Sequence, residues 1–443
     1  MKGRCFPIVC IALTACGAHE PLDLRRYDEA ERRFAAPSPR DETGATRDLL
    51  RKPELTLEEV LAIADGLNPS LASERKNVDL ATAALWEARL YPNPALLLRI
   101  EDYRTEDGAT TGKMERVAGL RFPIVLGGRI GAASTLADKE REIAAVQYVW
   151  RRREILGEVK RAFLRVLASR RNGELARGTR DIARNLRDVS DARFKAQAVP
   201  EMELLKAEVN LAKAEADLRL AEKDIAVSLK SLQALLGDAD FPNEKFTGEL
   251  FGRFSVPSLE ALRGHVPGAH PLLEAAKMRR AAAELELDLA KAERIPDMAF
   301  EFTAGRDPEG DTILEGGLEI PLPIFNRNQA KIARAEIRIR KSELEIQVAR
   351  NGLLVRLTEA YRTFVAAQER ATIYRDEILP KAQKALDQTQ EGYRLGKFGH
   401  LDLLDAQRTL ADARFADAAV VAELNLAATE LEMLAGIRLE PIR

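Results

Sequence analysis

The sequence predicts a mainly α-helical protein with a small β part, built as two tandem repeats of helix–β-hairpin–long helix–helix. Three observations predict it. The chain of 443 residues is 46% hydrophobic and 31% charged but only 5% aromatic, and Ala, Leu, Glu and Arg dominate, a mix that suits long packed helices. The chain also repeats itself, and its medium-length helices carry a seven-residue apolar pattern. A net charge of −2 gives no electrostatic argument for nucleic acid.

From the N-terminus, Lys2 and Arg4 precede the short apolar run "CFPIVCIAL", and small residues follow, as in a secretory signal over residues 1–15. "LTAC", Leu13 to Cys16, resembles the bacterial lipobox, which implies that Cys16 becomes the first mature residue and carries covalent lipid; no other cofactor is expected. Cys5 and Cys10 leave with the signal, so the mature chain has one cysteine and no internal disulfide. An ordinary signal with an accidental cysteine at its cleavage site is the alternative. Gly17 is not the Asp that retains bacterial lipoproteins at the inner membrane, which favours the outer membrane. Residues 16–54 are polar and charged and form an extended lipidated tether.

The repeat follows. At an offset of 202, Leu57 aligns with Leu259, Pro69 with Pro271, Leu85 with Leu287 and Pro94 with Pro296; near the end of each copy an offset of 199 aligns Phe194 with Tyr393 and Gly237 with Gly436. The copies span 55–238 and 259–443, joined by an equatorial segment over 239–258. Each opens with a helix, Ser70 to Tyr91 and Leu272 to Arg294. Next come alternating stretches. "DMAFEFTAG" places Met298, Phe300, Phe302 and Ala304 on one face and Glu301 on the other; "LEGGLEIP" alternates likewise, and "LLLRIEDY" and "RVAGLRFP" are weaker versions in the first copy. Each has about the 9–11 residues of a membrane-spanning strand. Hairpins capping a soluble coiled coil would show the same alternation. In lipid, four strands cannot close a barrel and an open edge is forbidden, so the strands would be shared between subunits.

A very long helix follows in each copy, about Arg129 to Gln197 and Asn328 to Leu395, with a kink or break expected at Pro380. After a sharp turn, a medium helix runs from Glu201 to Leu236 and from His400 to Ala435, each ending before a Gly suited to the C′ position. Leu204, Leu211, Leu218, Ile225 and Leu232 recur every seven residues, with Ala207, Ala214, Ala221, Ser228 and Leu235 three places later; this is a coiled-coil seam. The second copy repeats it with Leu403, Leu410, Leu424 and Leu431, interrupted by Asp417.

This order of elements behind a lipobox resembles the TolC-like outer-membrane efflux proteins over nearly the whole mature chain. "FPIVLGGR" (Phe122 to Arg129) and "IPLPIFNRNQAKI" (Ile320 to Ile332) look like the family's strand-to-helix junctions, the latter being closest to the CzcC-type heavy-metal efflux branch. The resemblance implies a homotrimer whose twelve-stranded barrel continues into a coiled-coil periplasmic tunnel. It implies, as partners, outer-membrane lipid, a periplasmic adaptor and an inner-membrane resistance-nodulation-division transporter. "YRLGKFGHLDLLDA" matches the family's tip motif, which implies adaptor docking at Val199, Pro200, Gly396, Phe398 and Gly399. It also implies a tunnel-tip gate or cation ring at Asp402 and Asp405, with Glu203 and Lys206 as first-copy counterparts; Lys206 departs from an all-acidic ring. A helix-dipole role is the alternative for both aspartates.

Catalytic chemistry is absent from the pattern. His19, His265, His270 and His400 form no HExxH, no CxxC exists, and no nucleophile has a plausible base, so neither an enzyme nor a metal site is expected. The expected function is an efflux duct for heavy-metal cations. Drug or organic-solute efflux, type I protein secretion and a pore-free coiled-coil lipoprotein are the alternatives.

Overall fold

A computed structural model describes residues 49, 52–101, 105–106, 109–110, 115–237, 246–306, 310–395 and 397–442. The signal, Cys16, His19 and most of the tether lie outside them.

Each repeat opens with two helices rather than one. In the first, α1 (Leu57–Leu67) and α2 (Pro69–Ala88) meet at Asn68. Asn68 ends α1 and caps α2, accepting the Leu71 N–H at 2.9 Å, while its amide donates to the Leu235 carbonyl at 2.6 Å. Pro69 at N1 costs α2 nothing, because that N–H has no helical partner. Strand β1 (Ala95–Glu101), the short pair β2 (Thr105–Glu106) and β3 (Ala109–Thr110), and β4 (Glu115–Ile124) follow. Helix α3 (Arg129–Lys195) then runs 67 residues unbroken, on the order of 100 Å. Helix α4 (Glu201–Leu235) returns along it, and Gly237 beyond its end has φ +83°.

The connector carries strand β5 (Phe254–Ser255). The second repeat then gives α5 (Leu259–Ala269), α6 (Pro271–Ala292), β6 (Met298–Arg306), β7 (Thr312–Glu319) and α7 (Gln329–Ile373). Pro380 neither breaks nor ends the helix. A single π-helical turn, Tyr374–Ile378, leads directly into α8 (Leu379–Arg394). The missing proline N–H and the ring's demand on the carbonyl four residues earlier are absorbed by one wider turn. Helix α9 (His400–Ala435) closes at Gly436 with φ +67°, and β8 (Glu440–Pro441) pairs with β5.

The heptad reading holds in three dimensions. Leu218, Ile225 and Leu232 are buried on α4, as are Ala207 and Ala214. On α9, Leu403, Leu410, Leu424 and Leu431 are buried. Full burial of each such Leu stabilises by roughly 1.5–3 kcal/mol. Asp417 interrupts this seam half-buried; burial pushes its carboxyl above the usual range, while Arg171 and Arg375 pull it back.

Two apolar cores flank the connector. One gathers α1, α3 and the end of α4 around Phe163, Leu232 and Phe246. The other gathers α5, α7 and the end of α9 around Phe364, Leu424 and Leu431. The connector is strapped to the second: Asn425 accepts the Phe251 N–H at 3.2 Å and donates to its carbonyl at 2.9 Å, and Gln368 accepts the Phe254 N–H at 2.8 Å.

His270 is the second-repeat counterpart of Asn68. Its Nδ1 accepts the Leu272 N–H at 3.2 Å, and its ring lies 4.6 Å from that of Trp150. Burial, then the charges of Arg153 and Arg356, hold its pKa down at about 3. The native state therefore keeps this imidazole neutral while the unfolded chain protonates it below about 6.5. Stability should fall as pH drops from about 6.5 towards 3. His270→Asn, which can cap as Asn68 does, should flatten that part of a stability–pH profile from denaturant titrations. An unchanged slope would remove His270 as its source.

Candidate functional site

The four long strands form one antiparallel sheet in the order β1-β4-β6-β7. The order joins the two hairpins through β4 and β6, from different repeats, and leaves β1 and β7 as edges. The register places Leu120 between Leu96 and Phe302, and Phe300 between Phe122 and Leu318. All six side chains are exposed on one face, as are Leu98 and Leu314. This is a continuous apolar band. The alternation of side chains sends the neighbouring residues to the other face. There Arg121 pairs with Glu301 at 3.4 Å and with Glu319, and the Thr303 hydroxyl donates to Glu315 at 3.2 Å. One face is apolar and the other polar and charge-paired, the arrangement of a strand wall between lipid and water.

Both strand-to-helix elbows end on a left-handed residue, Gly128 (φ +70°) and Asn328 (φ +60°). The first elbow is held by the second repeat. Arg129 pairs with Asp297 at 2.7 Å, and a Cβ at Gly127 would stand 2.6 Å from the Ala292 carbonyl oxygen. Only Gly lets the elbow approach this closely.

At the far end of the long helices lie the turns of the tip motif. Gln197 takes a left-handed φ of +57° and Pro200 caps α4. In the second turn the Phe398 ring covers Gly392, where a Cβ would stand 2.1 Å from the ring, and Gly399 caps α9. Val199 and Pro200 adjoin α4 as Phe398 and Gly399 adjoin α9, while Gly396 lies outside the described residues.

Asp402 and Asp405 are both exposed. Asp402 accepts the Gly399 N–H at 2.8 Å, so it caps the helix. Glu203 lies 3.7 Å from Arg193, and Lys206 is exposed. Sequence reasoning missed Arg193 itself. It donates to the Tyr393 hydroxyl, with its guanidinium 6.0 Å from that ring's centre, and so ties the first hairpin to the second. The only signal for it was Tyr393 in the tip motif, since the pairing spans 200 residues of chain. Among the described residues, no group of three or more His, Cys, Asp or Glu could hold a metal ion, and no helix is long and apolar enough to cross a membrane.

A strand wall amphipathic across its thickness, continued by paired helices of this length, defines an outer-membrane duct. The chain belongs to the outer membrane efflux protein family, which matches residues 60–238 and 267–437. It is 30% identical over 383 residues to the cobalt-zinc-cadmium resistance protein CzcC of Cupriavidus metallidurans, covering 86% of this chain and 90% of that one. It is 25% identical over 451 residues to the pyoverdine export outer membrane protein OpmQ of Pseudomonas aeruginosa, covering 95% and 93%. A crystal structure of CusC shares the fold with a TM-score of 0.71 at 16% identity, covering 86% of this chain and 91% of that one. Such proteins are outer-membrane efflux channels, not enzymes. Family members are trimers that work with an adaptor and an inner-membrane resistance-nodulation-division pump.

Proposed function

We propose that this chain is the outer-membrane duct of a tripartite pump and that its cargo is a heavy-metal cation. The observation that carries the duct is the four-stranded wall with two unpaired edges. Three copies supply twelve strands, and closing them into a barrel removes every edge from lipid. The cargo reading is supported by the extended likeness to CzcC and by the carboxylates Glu301, Glu315 and Glu319 on the polar face, whose charge Arg121 offsets only in part. Fixed negative charge along an aqueous wall favours cations without binding them tightly.

In this reading lipid on Cys16 anchors the N-terminus, the helices form a periplasmic tunnel, and the two turns are the surface an adaptor grips. Asp402, Asp405 and Glu203 then lend negative charge to the tunnel mouth, offset in part by Lys206. A second reading, export of an organic solute, is favoured by the likeness to OpmQ.

Deleting the gene in its host and measuring growth and cell-associated metal over graded zinc, cobalt and cadmium tests the choice. Metal sensitivity with raised cellular metal, reversed by the wild-type gene, is the expected result. Unchanged metal tolerance with loss of export of an organic compound would replace the metal reading by the second one.

A further inference from the structure

Arginine is treated in opposite ways on the two faces of the sheet. On the polar face Arg121 stands opposite Glu301 and pairs with it and with Glu319. On the apolar face Arg116 stands directly opposite Arg306. Strand alternation puts Arg116 on the side of Leu120 and Phe122, and Arg306 on the side of Phe302 and Phe300. Both guanidiniums are exposed, and neither has an ion pair or a hydrogen bond among the described residues. Ile100 on β1 and Thr312 on β7 complete their row and supply no charge. Along the four strands this face carries no carboxylate at all. Like charges set opposite each other across two strands repel. The sheet thus supplies counter-charge to the arginine on its polar face and none to the two on its apolar face.

Their depth is specific. Met298, at the elbow end of β6, lies eight residues from Arg306. That is about 27 Å of strand, which a barrel tilt of about 40° turns into about 20 Å of depth. The apolar band of a membrane barrel is about 25 Å tall, so the two cations stand at its rim, where lipid phosphates lie. The rim is the one farthest from the long helices, since both elbows leave the opposite end of the strands. One row inward Ala118 faces Ala304, with Leu98 and Leu314 on either side. The small pair leaves a shallow trough, apolar and exposed, directly beneath the cations.

Resting on the membrane reading above, we propose that Arg116 and Arg306 together hold a phosphate of an outer-leaflet glycolipid, whose acyl chains lie in the trough below. A phosphate group offers oxygens on several sides, and each guanidinium can give it two parallel N–H bonds. One such group between the side chains turns a repulsive pair into two attractive ones. The lipid meets the chain at the junction of the two repeats, because Arg116 lies on β4 of the first hairpin and Arg306 on β6 of the second.

The test uses the full-length trimer in mild detergent and follows its melting temperature as bisphosphorylated lipid A is added. Parallel samples receive dephosphorylated lipid A of the same acylation, or inorganic phosphate. The wild-type midpoint should rise with the bisphosphorylated lipid alone. The variant Arg116→Gln/Arg306→Gln should lose most of that rise, while its midpoint without lipid stays equal to wild type or exceeds it, since the repulsion is gone. Arg306→Gln, which leaves Arg116 facing no second cation, decides by the same comparison if the double variant assembles poorly. Equal rises with both lipids, or a rise with inorganic phosphate, overturn the lipid-phosphate site, as does a variant that responds like wild type. A trimer recovered from outer-membrane fractions without any such response overturns the site alone. Wild-type protein absent from those fractions overturns the membrane reading beneath it.

Discussion

Arginine in place of Phe302 is expected to abolish stable assembly in the outer membrane. Phe302 lies in the apolar band, 48% exposed in the single chain, between Leu120 and Gly316. A guanidinium facing lipid near mid-bilayer costs roughly 2–4 kcal/mol, and each copy of a symmetric barrel bears that cost. Glu301, the next residue, faces the opposite side and pairs with Arg121. Arginine there would set two cations together, so the proper comparison is Glu301→Gln, which leaves Arg121 its contact with Glu319. The variants are compared by the fraction of protein recovered in outer-membrane fractions and by the heat-sensitive oligomer on gels. Phe302→Arg should lose most of both, and Glu301→Gln little. Equal damage at both positions would refute the assignment of faces.

Asp65→Ala is expected to produce the largest loss of folding stability from a single side chain in the helical part. Arg152, on α3, is 7% exposed. It donates Nε–H to one oxygen of Asp65 at 2.5 Å and Nη2–H to the other at 2.6 Å. The pair joins α1 to the long helix in a parallel two-bond fork, the strong geometry for guanidinium and carboxylate. Removing the carboxylate strips that partner from a buried cation, which costs about 3–5 kcal/mol. Asp65→Asn, which keeps an acceptor but no charge, should fall between. Denaturant midpoints of the purified variants are the measurement. A midpoint equal to wild type for Asp65→Ala would show that water solvates Arg152 as well as Asp65 does.

The long elements were legible because their signals are periodic and local. The seam of Leu204, Leu211 and Leu218 specifies a helix face whatever it packs on, and Gly237 and Gly436 mark helix ends by a conformation other residues resist. The alternation in "DMAFEFTAG" gave the two faces of β6 correctly. The sequence places the first helix of each copy only from Ser70 and Leu272, and so passes over helices α1 and α5. Each has only 11 residues and abuts the next helix across one capping residue, Asn68 or His270. The roles of those caps depend on what buries them. The tip contact of Arg193 with Tyr393 was invisible because it joins different hairpins, and nothing local distinguishes that arginine from its neighbours on α3. At Pro380 the sequence announced a disturbance but not its form.

The form matters for how α8 meets α9. An α-helix turns by about 100° per residue, so one extra residue in a turn rotates everything beyond it by that angle. The turn at Tyr374–Ile378 therefore acts as a phase correction. From its last residue onward, Ile378, Leu379, Ala382 and Leu386 pack with Leu410 and Ala413 in a small core of their own. Deleting a single residue from this turn would remove the room it makes for Pro380 and rotate that core away from α9. The 67-residue helix of the first hairpin needs no such correction. Chain length is thus a constraint as strict as residue type at this one level of the second hairpin.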